Sequence, residues 1–283
     1  MVLANGSIIV NNGVIKLVLR ELPLFEAMFL RALIVVVLGV PLLAVMSGLS
    51  SARHMLTPRV VARNLVETGA SICFVFAVAN APLADLTAVM QVTPMLTLLG
   101  AVVFFGDRVG RGAVALIVLA LFGALLVAQP GSAGFQPFLL LGMLSSALSA
   151  GRDLFGRRVP RDIPAFAVAL GVSLFTAIAT GGLTLALEHW VPPTLEQMLQ
   201  IAGAGALLTL AQLFLFVAFR VGETSVVLPF SYSGLLWALL VGALVFGTLP
   251  NALGLVGMGL IVLSGVLVVL RERSGKLAAR AAD

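Results

Sequence analysis

Apolar residues run in blocks of about twenty along nearly the whole chain, separated by short tracts such as "ELPL" and "SGLSSARHMLTP". About twenty residues of α-helix cross the roughly 30 Å hydrocarbon layer of a bilayer. The pattern predicts ten membrane-spanning helices, at 2–19, 24–47, 60–80, 84–105, 113–129, 137–155, 165–187, 199–219, 224–247 and 250–270. The first is the most polar, since "NGSIIVNNGVIKLVLR" carries three Asn and a Lys. A membrane barrel would instead show strands of about ten residues with strict alternation, and that pattern is missing. No connection is long enough to form a soluble domain, so function must reside in the helices.

Composition sharpens this reading. Of 283 residues only 10% are charged, and the mean hydropathy is +1.15. So few charges cannot cover the surface of a soluble domain of this size. The chain is expected to be an all-α polytopic membrane protein. Ten spans put both termini and the even-numbered loops on one side, together with all Lys and Arg except Lys16, Arg20 and Arg31. The positive-inside rule then places both termini in the cytoplasm. The same asymmetry accounts for the sequence pI of about 10.6 through anionic headgroups and leaves no nucleic-acid patch. The single cysteine, Cys73, lies mid-helix and lacks partners for a disulfide or a metal cluster. No cleavable signal is evident, because the first apolar segment lacks a basic start and an A-x-A site. Trp190 in "EHWVPPT" falls where indoles prefer the outer membrane interface.

The chain also repeats. A shift of 141 residues lays "AVANAPLADLTAVMQVTPMLTLLGAVVFFGD" (77–107) over "AFRVGETSVVLPFSYSGLLWALLVGALVFGT" (218–248) without a gap. Each copy has a long helix, a tight turn, a helix ending in Phe-Gly and a short apolar helix. Five spans per half is an odd number, so the halves insert upside down relative to one another. The expected units are a first five-helix repeat over 1–130, an inverted second over 137–271, and a cytoplasmic tail over 272–283. Inverted repeats are a common build for secondary transporters, with the cargo site near the midplane between halves.

The order "IKLVLRELPLFEAMFLRALIVVV", then "VVFFGDRVGRG", then "LVFGTLPNALGLVGMGLIVLSGVLVV" resembles the EamA-type drug/metabolite transporters. The family pattern of a basic residue late in helix one, Pro before helix two and Arg within it corresponds to Lys16, Pro23 and Arg31. Its Gly-Glu ending of the fourth helix in each half is replaced by Gly106-Asp107 and Gly247-Thr248. The resemblance implies alternating-access export of a small metabolite across a bacterial inner membrane. Within the family the chain is most similar to amino-acid exporters. It also implies that the first helix flanks the cavity, which would bring Asn11, Asn12 and Lys16 to the pathway.

Two polar sets are the candidate sites. On the fourth span Thr87, Gln91 and Thr97 flank Pro94, which removes a backbone hydrogen bond and should kink the helix. On the ninth, Pro229, Ser231, Tyr232, Ser233 and Trp237 occupy the equivalent stretch, with Tyr232 over Gln91 in the repeat alignment. Carbonyls freed by the kinks are expected to meet a zwitterion's ammonium, with Gln91, Tyr232 and the hydroxyls adding hydrogen bonds. The competing reading is interhelical glue. Gln212 and Thr209 on the eighth span are weaker candidates. Nearer the cytoplasm, Glu67 shares a helix face with Arg63, Asn64, Thr68 and Ser71. Arg63 is expected to pair with Glu67, which then serves as anchor or as wall of a cytoplasmic vestibule rather than as a proton carrier.

Other charges are expected to be structural. Asp153 should pair with Arg152 or Arg157 at a helix end, and Asp85 and Glu223 should cap helix starts. Gly254, Gly257 and Gly259 should let helices approach closely, and Thr176, Thr180 and Thr184 should serve packing. His54 and His189 lie on opposite faces, and no hydrolase, zinc or phosphate-loop motif occurs. No enzyme chemistry, cofactor or metal is expected. The expected partners are a small-molecule cargo and the lipid bilayer, with the protein a monomer or weak homodimer. The near absence of charge at mid-depth favours net-neutral cargo. A phosphorylated metabolite or organic anion becomes the alternative if Lys16 and Arg31 converge inward.

Overall fold

The computed structural model describes residues 1–107, 110–129, 136–160, 162–221 and 227–282, with the side chains of Arg111, Ala113, Phe219, Leu228, Pro229 and 271–282 left aside. Its helices are α1 (Val2–Val18), α2 (Leu24–Ser47), α3 (Pro58–Asn80), α4 (Leu83–Met90), α5 (Thr93–Phe105) and α6 (Arg111–Ala128). They continue as α7 (Phe138–Gly156), α8 (Ala165–Leu187), α9 (Leu195–Val221), α10 (Ser233–Phe246) and α11 (Ala252–Ala282). Two 3-10 segments, Leu49–Leu56 and Leu228–Tyr232, complete the described residues, which contain no strand. Among the described residues seven helical stretches are long and apolar enough to cross a membrane, α4 and α5 counting as one, and three shorter apolar helices, Val2–Val18, Val114–Ala128 and Phe230–Phe246, accompany them. Many large apolar side chains face outward, Val45 and Leu185 at 88% and 87% exposure among them, as a lipid-facing surface requires.

Backbone chemistry sets the breaks. Pro94 has no N–H to give to the carbonyl of Met90, and the helix divides just before it. The Thr93 hydroxyl donates to that carbonyl instead, at 2.7 Å. At the equivalent place in the second half, the 3-10 turn Leu228–Tyr232 feeds α10. Both α5 and α10 stop at a glycine in the left-handed region, Gly106 at φ 70° and Gly247 at φ 61°, where a Cβ would be strained. The next amide then reaches back to close the turn, Asp107 N–H to Ala101 O at 3.3 Å and Thr248 N–H to Gly242 O at 2.9 Å. So the Gly-Asp and Gly-Thr endings, though unlike in sequence, form the same cap.

Packing follows a pattern of exchange. Helix α3 packs on α7 as α1 packs on α9; α8 touches α3 as α2 touches α9; α1 meets α10 as α7 meets α4 and α5. Three further pairs, α2 with α8, α6 with α11 and α4 with α10, each join helices that hold the same place in 1–130 and in 137–271. In the contact of α6 on α11 backbone meets backbone. A Cβ on Gly257 would press on the Gly123 carbonyl, and one on Gly123 would press on the Gly257 carbonyl. By contrast Gly259 faces open space, so only part of the expected glycine set serves that contact. Thr180 and Thr184 turn their hydroxyls back to carbonyls four residues earlier and are buried, in keeping with packing.

Candidate functional site

A cavity of about 480 Å³ lies among α1, α2, α3, α4, α7 and the 3-10 turn before α10. Its middle is lined by Thr87, Gln91 and Pro94 from the broken fourth span and by Ser231 from the ninth. Asn11 and Asn12 contribute from α1, and Glu67 and Ser71 from α3. These expected residues therefore share one space. Phe74, Val75, Met90 and Leu208 supply an apolar wall.

Several expected residues lie elsewhere. Tyr232 is buried, and its hydroxyl abuts Gly265 on α11. The Trp237 indole covers Gly6 on α1, where an added Cβ would come within 2.9 Å of the ring. Gln212 lines a separate cleft between α8 and α9 with Phe216 and Arg220, and Thr209 bonds the carbonyl of Gly205. Lys16 donates to the carbonyl of Ala81 and stands over the Phe246 ring, away from the cavity. Asn64 is fully buried and accepts from Arg63 at 2.9 Å, while Thr68 meets Thr176 of α8. The Pro229 side chain and Glu223 fall outside the described residues.

Two expectations about bonding are corrected. The carbonyl that Pro94 frees, that of Met90, is taken by the Thr93 hydroxyl, while the one that Pro229 frees, that of Ser225, lies outside the described residues. The neighbouring carbonyls of the 3-10 turn are also occupied by protein donors. Asn5 Nδ2 donates to the carbonyls of Phe230 and Ser231 at 3.0 and 3.1 Å, and Gln91 Nε2 donates to Ser231 O at 3.2 Å. Gln91 thus lines the cavity and also ties the fourth span to the ninth. The partner of Glu67 is not Arg63. Arg152 of α7 holds Glu67 at 2.7 Å and Asp153 at 2.8 Å, and the Thr97 hydroxyl donates to Asp153 at 3.3 Å. Arg157, the other candidate partner for Asp153, pairs with Asp107 at 2.8 Å. Asp85 makes no capping bond, since α4 has no side-chain cap, and sits buried with its carboxylate near Gly254 at the start of α11.

Arg152, Asp153 and Arg31 all line the cavity and were not chosen as binding residues on sequence. With Glu67 they give its wall two cationic and two anionic side chains, a formal sum of zero. Arg152 and Asp153 read as an ordinary helix-end pair until α7 is laid against α3. Arg31 carried the one usable signal, a lone Arg inside an apolar helix.

At the far end of the bundle, beside the α1–α2 turn, the Glu188 carboxylate accepts the amides of Phe25 and Glu26 at 2.9 and 3.0 Å. Glu26 in turn accepts the Val191 amide at 3.0 Å. These bonds join α2 to the α8–α9 connection. An acceptor at a helix N-terminus is favourable because the first amides there have no intrahelical partner.

A sequence model of the EamA-like transporter family matches residues 10–129 and again residues 136–270. The chain belongs to the EamA-like transporter family. It is a multi-pass membrane protein and a transporter rather than an enzyme. Over 97% of its length it is 26% identical to the pseudopaline exporter CntI of Pseudomonas aeruginosa, covering 95% of that protein. A riboflavin transporter of Rhizobium johnstonii is 28% identical over 70% of the chain and 66% of its own length. An S-adenosylmethionine uptake transporter of Rickettsia conorii is 21% identical over 68% and 65%. A solved crystal structure superposes with a TM-score of 0.66 over 96% of this chain and 97% of its own, at 22% identity, which speaks to the fold alone.

Proposed function

We propose that this EamA-family member is a secondary transporter exporting a small, net-neutral metabolite across the bacterial inner membrane, with amino acids the leading cargo. The observation that carries this reading is the charge balance of the cavity: Arg31 and Arg152 against Glu67 and Asp153 in about 480 Å³. A dianion placed there would face two carboxylates, whereas a zwitterion offers each sign a counterpart. Lys16 and Arg31 do not converge, since only Arg31 lines the cavity, which weighs against the organic-anion or phosphorylated-metabolite alternative. The named cargoes of the relatives, which include a vitamin and a sulfonium nucleoside, are varied enough that shared family does not choose among them. A membrane scaffold, the alternative from another class, would have no use for a charge-balanced internal cavity.

The proposed architecture is ten spans as two inverted repeats, with both termini cytoplasmic. Support comes from the family match occurring once in each half, the exchange-symmetric packing and the matching glycine caps. In that frame the Glu188 and Glu26 bonds close the outer side, and the cavity is reached from the cytoplasmic ends of α3 and α7. Export proceeds by rocking or bending that breaks the outer bonds and closes the inner end. Glu67 acts as wall and anchor. Its carboxylate is engaged by Arg152, which favours transport down a cargo gradient over proton antiport.

Cells overexpressing the protein should raise selected neutral amino acids in the medium relative to empty-vector cells, read by mass spectrometry. Unchanged amino acids with a rise in phosphorylated or polyanionic metabolites would transfer the reading to the anion alternative. No change at all, with the protein confirmed in the membrane, would favour the scaffold.

A further inference from the structure

Among the described residues Arg31 is a cation without a counter-ion. It sits seven residues into α2, about 10 Å from that helix's start at 1.5 Å per residue. Its side chain is 7% exposed, its Nε has no acceptor, and among the described residues it makes no ion pair. It lines the cavity. The same region of the cavity is furnished with amides. Asn11 belongs beside Ala204 on α9, one residue from Gly205, which approaches the backbone of Arg31. There Asn11 Nδ2 donates to the Ala204 carbonyl at 3.0 Å and its Oδ1 accepts the Asn12 backbone amide at 3.2 Å, and both asparagines line the cavity.

The acidic groups are at another depth. Glu67 lies thirteen residues from the end of α3 at Asn80, about 20 Å, while Arg31 lies about 10 Å from the same end of the bundle. Glu67, Arg152 and Asp153 together carry one net negative charge, opposite in sign to Arg31. The cavity is therefore dipolar along its length, with a free guanidinium at one pole and a slightly acidic, internally paired cluster at the other.

A buried guanidinium with no partner is unfavourable in either bilayer or protein interior. The planar fork of Arg suits bidentate pairing with a carboxylate, and adjacent Asn amides can donate to the same oxygens. One guanidinium supplies one positive charge, which a monoanionic carboxylate balances and a dianionic phosphate exceeds. We infer that Arg31 anchors the carboxylate of the cargo, with Asn11 and Asn12 assisting, so that the cargo is held carboxylate-first toward the α1–α2 end. This inference rests on reading the cavity as the transport site and specifies its anionic subsite.

Paired probes test it independently of flux. Purified protein would be unfolded thermally with L-leucine or L-leucinamide, and with benzoate or benzamide, at matched ionic strength set by chloride. The carboxylate member of each pair should bind about tenfold more tightly than its amide, the size expected for a charge-assisted hydrogen-bonded pair. Arg31→Gln should bring the carboxylate and amide of each pair to equal affinity, and Arg31→Lys should keep part of the difference. Arg31→Met, which removes the buried charge without a polar replacement, serves as the folding control. Carboxylates no better than amides on the wild type, equal discrimination in Arg31→Gln, or chloride competing as well as carboxylate would each overturn the inference. Leucine flux in proteoliposomes separates the two levels. Flux without carboxylate discrimination removes the Arg31 role and leaves the exporter reading. Discrimination without leucine flux keeps the anchor and removes amino-acid export.

Discussion

Arg152 bonds two carboxylates at once, so its removal should harm the fold more than removal of either partner. Its guanidinium is 2.7 Å from Glu67 and 2.8 Å from Asp153, with Arg152 and Glu67 side chains about one quarter and one fifth exposed. Breaking a fully buried pair costs about 3–5 kcal/mol, and an exposed pair is worth about 0–1 kcal/mol. Glu67→Gln leaves Arg152 with Asp153, a neutral remainder, and should cost about 1–2 kcal/mol between those limits. Arg152→Gln strands two neighbouring carboxylates, Glu67 about one fifth and Asp153 two fifths exposed, and should cost about 2–3 kcal/mol, below the fully buried figure because solvent screens Asp153. In the double variant only Asp153 remains, so the combined loss should fall short of the sum by about 1–2 kcal/mol. Thermal unfolding of the four proteins in detergent gives these differences. If Glu67→Gln is at least as damaging as Arg152→Gln, or if the two losses add, Glu67 has another partner and the cavity wall is drawn wrongly. Arg63 would then be the first residue to try.

Three further outcomes follow from the packing and the outer bonds. Gly257→Ile forces a branched side chain onto the Gly123 carbonyl and should cost about 1–3 kcal/mol or abolish folding, whereas Gly259→Ala, which meets open space, should change the melting temperature little. Glu188→Gln keeps the size of the outer bond acceptor but removes its charge at the α2 N-terminus, at about 1 kcal/mol. In a Cys73→Ser background carrying Ser71→Cys, external labelling by an impermeant maleimide should then rise, and unchanged labelling would deny that these bonds close the outer side. Tyr232→Phe should leave flux unchanged because the phenol points at Gly265, whereas Gln91→Leu should reduce it by cutting the tie between the fourth and ninth spans and altering the wall. Equal loss in both would return Tyr232 to the cavity.

Much of the architecture could be read directly. Helix length, the break at Pro94 and the paired Phe-Gly endings are local properties of backbone and hydropathy, and these need no knowledge of neighbours. The site was legible only where the helical period held. Thr87, Gln91 and Ser71 follow from a regular advance of 100° per residue and Pro94 from its missing N–H, whereas Asn11 and Asn12 came only with the family resemblance. Around Tyr232 the chain is a 3-10 turn, whose tighter winding rotates successive side chains by about 120°. Ser231 consequently faces the cavity while Tyr232 faces α11, and the register carried on to Trp237 turns it toward α1. Ion pairs were the least legible feature. Arg63 is one turn from Glu67 in sequence, but Arg152, 85 positions away, is its partner because α3 lies against α7. Local spacing proposes the nearest opposite charge, and tertiary packing chooses.

Leucine counterflow into proteoliposomes, comparing wild type with a cavity-filled Ser149→Trp variant of equal thermal stability, tests most directly that this cavity carries a net-neutral cargo. Trapped unlabelled leucine should drive labelled leucine inward through the wild type and not through the filled variant. Counterflow that persists in the filled variant would place the pathway elsewhere. Its absence in the wild type, with uptake of a polyanion instead, would contradict the charge-balanced site on which the proposed function rests.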